Sequence, residues 1–310
     1  MSDSPSPATA HQWSSRALHW LHRMHQRGLG HLPPDITVDV RDPDDCYKPL
    51  GEIALAASLV LRDGVAGSAD TGMAHDLLGS CWRQLNDGGL LYERQLRHTL
   101  LTDPLELYAH FARAGYRHRP LDELLGASST LRAWRAAELV PNRRLGVANA
   151  RRIVGLPPQS DWSGLVAATW LAATPEPWAI DWSTAYDVTH TVFHLTDWGA
   201  RPEAVPRPMR EYLRTWLPVW VDVWLEVGQW DLVGELLTVD CCIGEPVCEP
   251  TAWERLAAVQ HPDGLTPRDA DPVDADPARA YEDHAHTAVV TVVAGTVLLS
   301  RTLGTTPVAA

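Results

Sequence analysis

Residues 183–199 read STAYDVTHTVFHLTDWG, and this stretch decides the predicted fold and the predicted site. Asp187, His190, His194 and Asp197 follow one another at intervals of three, four and three residues, which places them in one stripe of an α-helix. Apolar side chains flank the stripe, so we expect the polar line to face the interior. Buried ionisable groups are costly unless they pair, hydrogen-bond or bind a metal ion.

Two interpretations of this stripe are open. Histidines four residues apart, such as His190 and His194, can hold one metal ion from a single helix face. The alternative is a hydrogen-bonded pair of core histidines capped by an aspartate. In the first interpretation Asp187 or Asp197 orients a histidine or acts in catalysis.

The composition is that of a globular protein without a nucleic-acid partner. Of 310 residues, 45% are hydrophobic and 21% charged, and the net charge of −13 disfavours nucleic acids and anionic membranes. The longest mostly apolar run, residues 287–300, is too short to span a bilayer. An odd number of cysteines, five, with Cys241 and Cys242 adjacent, argues against a disulfide framework. With no signal pattern at its start, the chain is expected in the cytoplasm.

Helical periodicity recurs from end to end and strand signals are nearly absent, which predicts one all-α domain over residues 1–310. An N-terminal helix falls within residues 1–28, and an acidic, Pro-rich segment, residues 262–281, is either a lid or a solvated loop. The predicted helices are 8–28, 46–63, 70–87, 89–101, 103–115, 119–139, 141–155, 161–174, 183–198, 207–228, 231–242, 250–261 and 282–301.

About thirteen paired helices, ending in Gln260-x-x-Asp263-Gly264 and a helix led by His286-Thr287, resemble an α/α toroid of 12–13 helices. Terpene cyclases, protein prenyltransferase β-subunits and lanthionine cyclases share this architecture of inner and outer helical rings. The resemblance implies that helices 183–198, 231–242 and 282–301 are consecutive members of the inner ring. It also implies an active cavity at one mouth of the barrel.

Protein prenyltransferase β-subunits bind catalytic zinc through an aspartate, a cysteine two residues later and a histidine in a His-Thr sequence. Asp240, Cys242 and His286 stand in that order here, and three such ligands leave zinc an open position. The basic residues that precede the aspartate in that family are Leu237 and Gly234 in this chain. The resemblance therefore implies a metal site without prenyl chemistry.

A second ligand set is open alongside the first. It consists of His190 and His194 with Asp240 or His286, and it suits zinc or non-haem iron, of which we expect zinc. A buried, hydrogen-bonded polar centre without a metal is the third interpretation.

An acidic segment near the start, Asp42-x-Asp44-Asp45, resembles the proton-donating motif of class II terpene cyclases, in which an aspartate acts as a general acid. Capping of a helix N-terminus by carboxylates explains the same residues.

We therefore expect a metal-dependent enzyme acting on a small molecule or short peptide in specialised metabolism. The metal would activate a thiol or water, or polarise a carbonyl. The alternatives are a metal-independent enzyme, similar to class II terpene cyclases, that uses Asp42, Asp44 or Asp45 as the acid, and a non-catalytic helical binding or scaffold protein. A cluster of four arginines (Arg143, Arg144, Arg151 and Arg152) predicts a surface or subunit contact, which leaves a homodimer open.

Overall fold

The computed structural model describes residues 7–39, 47–158 and 161–304. Helices make up about 70% of the chain, and the described residues contain no strand. Fourteen α-helices lie within those ranges. They are α1 (Pro7–Gln26), α2 (Tyr47–Asp63), α3 (Ser68–Gln84), α4 (Gly89–Arg97), α5 (Asp103–Arg113), α6 (Arg119–Ser128), α7 (Arg132–Ala136), α8 (Pro141–Val154), α9 (Trp162–Ala167), α10 (Trp182–Thr196), α11 (Arg207–Val227), α12 (Trp230–Cys242), α13 (Pro250–Ala258) and α14 (Pro277–Thr302). The all-α prediction is confirmed.

Local capping explains several of the helix ends. Asp181 and Thr184 form a capping box at the start of α10, where the Asp181 carboxylate accepts the Thr184 amide at 2.8 Å. The α14 helix begins at Pro277, five residues before the predicted start, because Asp276 caps it and proline fits the first helical position. The predicted helix 119–139 is two helices, α6 and α7.

Six of the helices contact one another in a closed cycle, here called the six-helix cycle: α2–α5–α8–α10–α12–α14 and back to α2. Helices α1, α3, α4, α6, α9, α11 and α13 pack against members of this cycle or against each other. For example, α1 packs on α14 and α3, and α11 packs on α12. The sequence predicted that α10, α12 and α14 are consecutive neighbours, and the contacts agree.

Neighbouring helices of the cycle run in the same direction. Between α8 and α10, Asn142 bonds Asp187, Gly146 lies against His194, and Asn149 bonds Asp197 just past the end of α10. The residue numbers of these partners rise together, so the two helices run in parallel. Between α10 and α12, Tyr186 bonds Asp231 and Thr189 bonds Glu235. Side chains at equivalent heights on successive helices therefore meet.

The buried core is one cluster that extends from Ala10 to Leu299. Among the described residues, α14 alone has the length and composition to cross a membrane, but 78% of its apolar window is buried inside the protein. It packs closely on α1, because a Cβ at Gly295 would lie 2.5 Å from Cβ of Ser14. The apolar character of α14 is thus accounted for by core packing.

The acidic segment 262–281 is anchored to α1 and to the start of α12. Arg16 and Arg23 donate to the carbonyls of His261 and Asp263 at 2.6 and 2.7 Å, and residues 264–267 are buried. The backbone N–H of Asp231, in the first turn of α12, donates a hydrogen bond to the carbonyl of Arg268.

Candidate functional site

A cavity of about 520 Å³ lies inside the six-helix cycle, and all six of its helices contribute to the wall. This volume is typical of a small-molecule site. Polar and apolar side chains both line it, whereas no residue of segment 262–281 does. The lining residues used below are Glu52, His110, Gly146, Asp187, His190, Phe193, His194, Trp198, Glu235, His286, Val289 and Val293.

The cavity is open at the N-terminal ends of its helices and closed at the other end. Lys48, at the start of α2, and Val140, just before α8, are exposed on the rim. Trp198 and Asn149, which follow α10 and lie late in α8, are buried. A ligand would therefore enter past the charged starts of the helices and reach toward Trp198.

Three side chains converge beside the cavity, and we call them the acidic centre: Glu235 and His286, which line the cavity, and the buried Asp231 next to them. Nε2 of His286 lies 3.4 Å from Oε1 of Glu235 and 3.7 Å from Oδ2 of Asp231. One oxygen or nitrogen from each of the three lies within 4.8 Å of the other two, the one such group of metal-ligating side chains in the described part of the chain. The helix α12 supplies both carboxylates from one face, four residues apart.

Hydroxyl groups hold both carboxylates in place. Tyr186 donates to Oδ2 of Asp231 at 2.6 Å, and Thr287 donates to Oδ1 at 2.8 Å. Thr189 donates to Oε2 of Glu235 and leaves Oε1 toward the histidine. The orientation of the centre is thus fixed by three neighbouring hydroxyls.

His286 is held from its other side by a third carboxylate. Its Nδ1 atom lies 2.9 Å from Oε1 of Glu52, on α2. Burial acts to lower the pKa of His286, but Glu52, Asp231 and Glu235 together raise that pKa well above its ordinary value. Without another cation, His286 carries a positive charge among these three carboxylates.

His190 and Asp187 lie on the same side of the cavity. Nε2 of His190 is 3.9 Å from Oε1 of Glu235, so this histidine borders the acidic centre. Asp187 lines the cavity and accepts a bond from Asn142 at 2.9 Å, and burial raises its pKa. The predicted stripe on α10 therefore does face the interior.

His194 lies one turn further along α10, toward the closed end, and His110 of α5 lines the same region. Burial is the main reason why the pKa of each falls to about 3. Both rings are therefore neutral at ordinary pH. The structure brings His190 and His286 to the same carboxylate, Glu235, but places His194 beyond them.

Asp197, predicted as a catalytic or orienting group, instead neutralises buried arginines. It accepts bonds from Arg113 and from Arg152 and Asn149 at 2.8 and 3.2 Å. Burial alone would raise its pKa, but the charges of Arg113, Arg62 and Arg152 lower it to about 2. The helical stripe ends before this residue because the chain leaves α10 after Thr196, and Asp197 has a left-handed φ of 50°.

Asp240 and Cys242 do not join His286, so the predicted Asp240–Cys242–His286 ligand set is corrected. Asp240 lies five residues after Glu235, about 140° around the helix. Its carboxylate accepts the amides of Val247 and Cys248 at 2.8 and 3.0 Å. Cys242 faces the cavity side but lies about 10 Å further along α12, and burial raises its thiol pKa to about 12.

The remaining predicted residues divide into two groups. Asp42, Asp44 and Asp45 lie outside the described residues. The basic cluster does not form one surface: Arg143 lines the cavity and pairs with Glu106 at 3.2 Å, while Arg152 turns to Asp197.

Sequence reasoning missed Asp231, Glu235 and Glu52. A usable signal was present: two acidic residues four apart in Trp230-Asp-Leu-Val-Gly-Glu235 begin a helix that is otherwise apolar. Such a pair in a buried helix needs partners, as the histidine pair on α10 does.

Comparison with known proteins gives one match. Residues 14–296 match the model of a protein family described as "Domain of unknown function (DUF6895)". No curated protein and no solved structure matches the chain.

Proposed function

We propose that this chain, which belongs to the family described as Domain of unknown function (DUF6895), is a metal-dependent enzyme acting on a small molecule or short peptide. The observation that carries the proposal is the convergence of Asp231, Glu235 and His286 beside a cavity about 520 Å³ in volume, which Glu235 and His286 line. Three ligands with an open position on an accessible cavity are typical of catalytic metal sites.

The spacing of the acidic centre supports a single ion. Two ligand atoms bound at tetrahedral angles to one zinc ion are about 3.4 Å apart, given bond lengths of about 2.0–2.2 Å. The two separations from Nε2 of His286 are 3.4 and 3.7 Å. Imidazole and carboxylate donors suit zinc first and ferrous iron second. His190 is placed to serve as a fourth ligand or as a base beside the ion.

Glu52 completes the arrangement without touching the ion. A histidine that binds a metal through one nitrogen commonly donates its other N–H to a carboxylate. Glu52 stands 2.9 Å from Nδ1 of His286, which fixes the tautomer whose Nε2 lone pair faces Asp231 and Glu235. Burial would raise the pKa of Glu52, but His286 lowers it, so Glu52 is charged and accepts this bond.

The chemistry follows from these residues. When bound, the metal would polarise a substrate carbonyl or lower the pKa of a bound water. Tyr186, Thr189 and Thr287 hold the carboxylates, and His190 is within reach to accept a proton. The reaction is therefore one that a Lewis acid promotes at a carbonyl group: addition, hydrolysis or isomerisation.

The arrangement of helices supports an α/α toroid. The six-helix cycle is closed, its neighbouring helices run parallel where their paired contacts define a direction, and the cavity lies inside it. Such an inner ring of parallel helices with others packed outside is the architecture that the sequence resembles. A cytoplasmic location stays a prediction.

A metal-free acid–base centre is the second candidate. The observation that favours it is the same raised pKa of His286, because an imidazolium between Glu52 and Glu235 satisfies the cluster without an ion. The class II cyclase-like acid at Asp42, Asp44 or Asp45 and the non-catalytic scaffold stay predictions.

Metal analysis of untagged protein tests the proposal. The protein is treated with a chelator, reloaded with Zn²⁺, Fe²⁺ or Mn²⁺ and desalted. Elemental mass spectrometry then measures the number of metal ions per chain. We expect about one ion per chain, and a loss of at least tenfold in affinity for Glu235→Gln and His286→Gln.

Asp187→Asn is the matched control, because it alters a cavity carboxylate that is bonded to Asn142 and should retain the ion. Circular dichroism checks that every variant folds. A wild-type protein that retains none of the three metals, or variants that bind as well as wild type, would refute the metal proposal and favour the acid–base centre or the scaffold.

A further inference from the structure

The closed end of the cavity holds three ring side chains, here called the floor: His110, His194 and Trp198. The ring centroids of His110 and His194 lie 6.4 and 5.7 Å from that of Trp198, and both contacts are edge-on. The three come from α5, from α10 and from the turn after α10. Valines of α14 and Phe193 surround them.

Both floor histidines lack a hydrogen-bond partner within the described residues. Nδ1 of His110 is buried with no donor or acceptor in reach. The ring of His194 lines the cavity and makes no hydrogen bond to another described residue. Imidazole nitrogens in a protein interior normally make hydrogen bonds, so two imidazoles that line one cavity wall without a protein partner are available to a ligand.

Gly146 leaves room for the ring of His194 against α8. A Cβ at Gly146, in the interior of α8, would lie 3.0 Å from both Cε1 and Nε2 of His194. Glycine inside a helix costs about 1 kcal/mol relative to alanine. The close approach of the imidazole to α8 therefore depends on a residue that is otherwise unfavourable there.

The backbone under the floor is strained. Asp197, Trp198 and Gly199 all have positive φ, of 50°, 50° and 81°. For a bulky residue such as tryptophan this conformation is an outlier. Arg62 holds it by donating to the carbonyls of Asp197 and Trp198 at 2.6 and 3.0 Å. Strain that the surroundings enforce in this way is commonly found at ligand sites.

The floor favours an uncharged ligand group. A neutral imidazole offers one N–H donor and one nitrogen acceptor, and burial keeps both histidines neutral. The arginines behind Trp198 are already bonded to Asp197. Arg143, which also lines the cavity, is paired with Glu106 at 3.2 Å. An ion placed at the floor would therefore leave water without meeting an unpaired opposite charge.

We propose that the floor binds the uncharged, hydrogen-bonding end of the substrate, a hydroxyl, carbonyl or amide attached to an apolar body, between His110 and His194. This rests on the proposed function in that the other end of the same molecule reaches the acidic centre. His190 borders the acidic centre and His194 belongs to the floor, and their ring centroids are 6.2 Å apart. The two ends of the substrate, one at the floor and one at the acidic centre, are therefore separated by about one helical turn.

Binding of two matched probes to metal-free protein tests the floor alone. The probes are p-cresol and toluene, which differ by one hydroxyl group, and calorimetry measures their affinities for chelator-treated wild type and for Glu235→Gln. We expect p-cresol to bind about tenfold tighter than toluene, because only its hydroxyl satisfies the floor histidines.

Three variants then locate the hydroxyl. His110→Phe, His194→Phe and Gly146→Ala should each reduce the preference for p-cresol about fivefold, while toluene binding shows that the cavity is still formed. The controls are His75→Phe, an exposed histidine of α3, and Gly126→Ala, where an added Cβ meets nothing within 4 Å. In ¹⁵N spectra, p-cresol should shift the ring nitrogens of His110 and His194.

Equal affinity for the two probes, or a preference that survives both phenylalanine variants, overturns the proposal, as does a cavity that binds neither probe. The two proposals fail separately. A preference for p-cresol in a protein that binds no metal retains the floor and removes the metal enzyme. A protein that binds the metal but shows no preference for p-cresol retains the metal enzyme and removes the floor.

Discussion

Nδ1 of His286 and Oε1 of Glu52 lie 2.9 Å apart although the two residues are 234 positions apart in the chain. This pair joins α2 and α14, which close the six-helix cycle. The bond leaves the other nitrogen of His286 facing Asp231 and Glu235. The contact that orients the candidate ligand thus lies at the interface of the two helices that close the cycle.

Glu52→Gln should weaken metal binding by about 10- to 100-fold while leaving all three ligands in place. The amide cannot carry the negative charge that makes His286 a stronger donor. Competition with a chromophoric chelator measures the affinity, with Asp187→Asn as the control. Unchanged affinity would mean that Glu52 only fills space beside the ring.

Asp240→Asn and Cys242→Ser should retain the metal. Asp240 serves the turn after α12, where its two oxygens accept two backbone amides, so its substitution should lower the free energy of unfolding by about 1–3 kcal/mol. Urea unfolding and metal content are measured on the same preparations. Loss of the ion from folded Asp240→Asn or Cys242→Ser would restore the ligand set that the sequence suggested.

Asp197→Asn should destabilise the fold by about 3–5 kcal/mol, because it leaves Arg113 buried without its counter-charge. Asparagine has nearly the same shape and also tolerates a left-handed φ, so lost charge is the main change. Urea unfolding gives the free energy. Glu123→Gln, in an exposed pair with Arg119, is the control and should show no measurable change. A small effect for Asp197→Asn would show that the arginines are hydrated.

The stability of wild type should fall as the pH falls from about 6.5 toward 3, partly because of His110. Burial lowers the folded-state pKa of this histidine to about 3, whereas in the unfolded chain it is protonated below about 6.5. The unfolded state therefore binds a proton that the folded state does not. The stability that the neutral ring contributes is present above pH 6.5 and is lost on acidification.

His110→Phe should make the plot of unfolding free energy against pH shallower near pH 5, by up to about 1.4 kcal/mol per pH unit. Urea unfolding at several pH values from 4 to 6.5 measures both slopes. His75→Phe should leave the slope unchanged. Identical slopes for wild type and His110→Phe would show that His110 is protonated in the folded state.

The sequence was sufficient for the helices and for one wall of the cavity. The spacing of Asp187, His190 and His194 identified an inward face of α10, because helical periodicity is a local property. Asp197 did not follow the pattern, since the chain turns left-handed after Thr196 and redirects the next side chain.

The acidic centre could not be derived in the same way. It combines α12 with the histidine of α14 and the glutamate of α2, and only the relative heights of three helices decide which residues meet. A similarity in residue order pointed to Asp240 and Cys242. The rotation of α12 directs Asp240 away from the cavity, and the rise of the helix carries Cys242 past the level of His286.

The closure of the six-helix cycle between α2 and α14, with α1 packed on α14, also has a consequence for biosynthesis. While the ribosome is still translating residues before 277, α1 and α2 have emerged but the partner that covers both does not yet exist. Their apolar faces therefore stay open until α14 has also been made. We expect fragments that stop before α14 to aggregate or to be degraded, because the surfaces of α1 and α2 that α14 covers stay exposed in them.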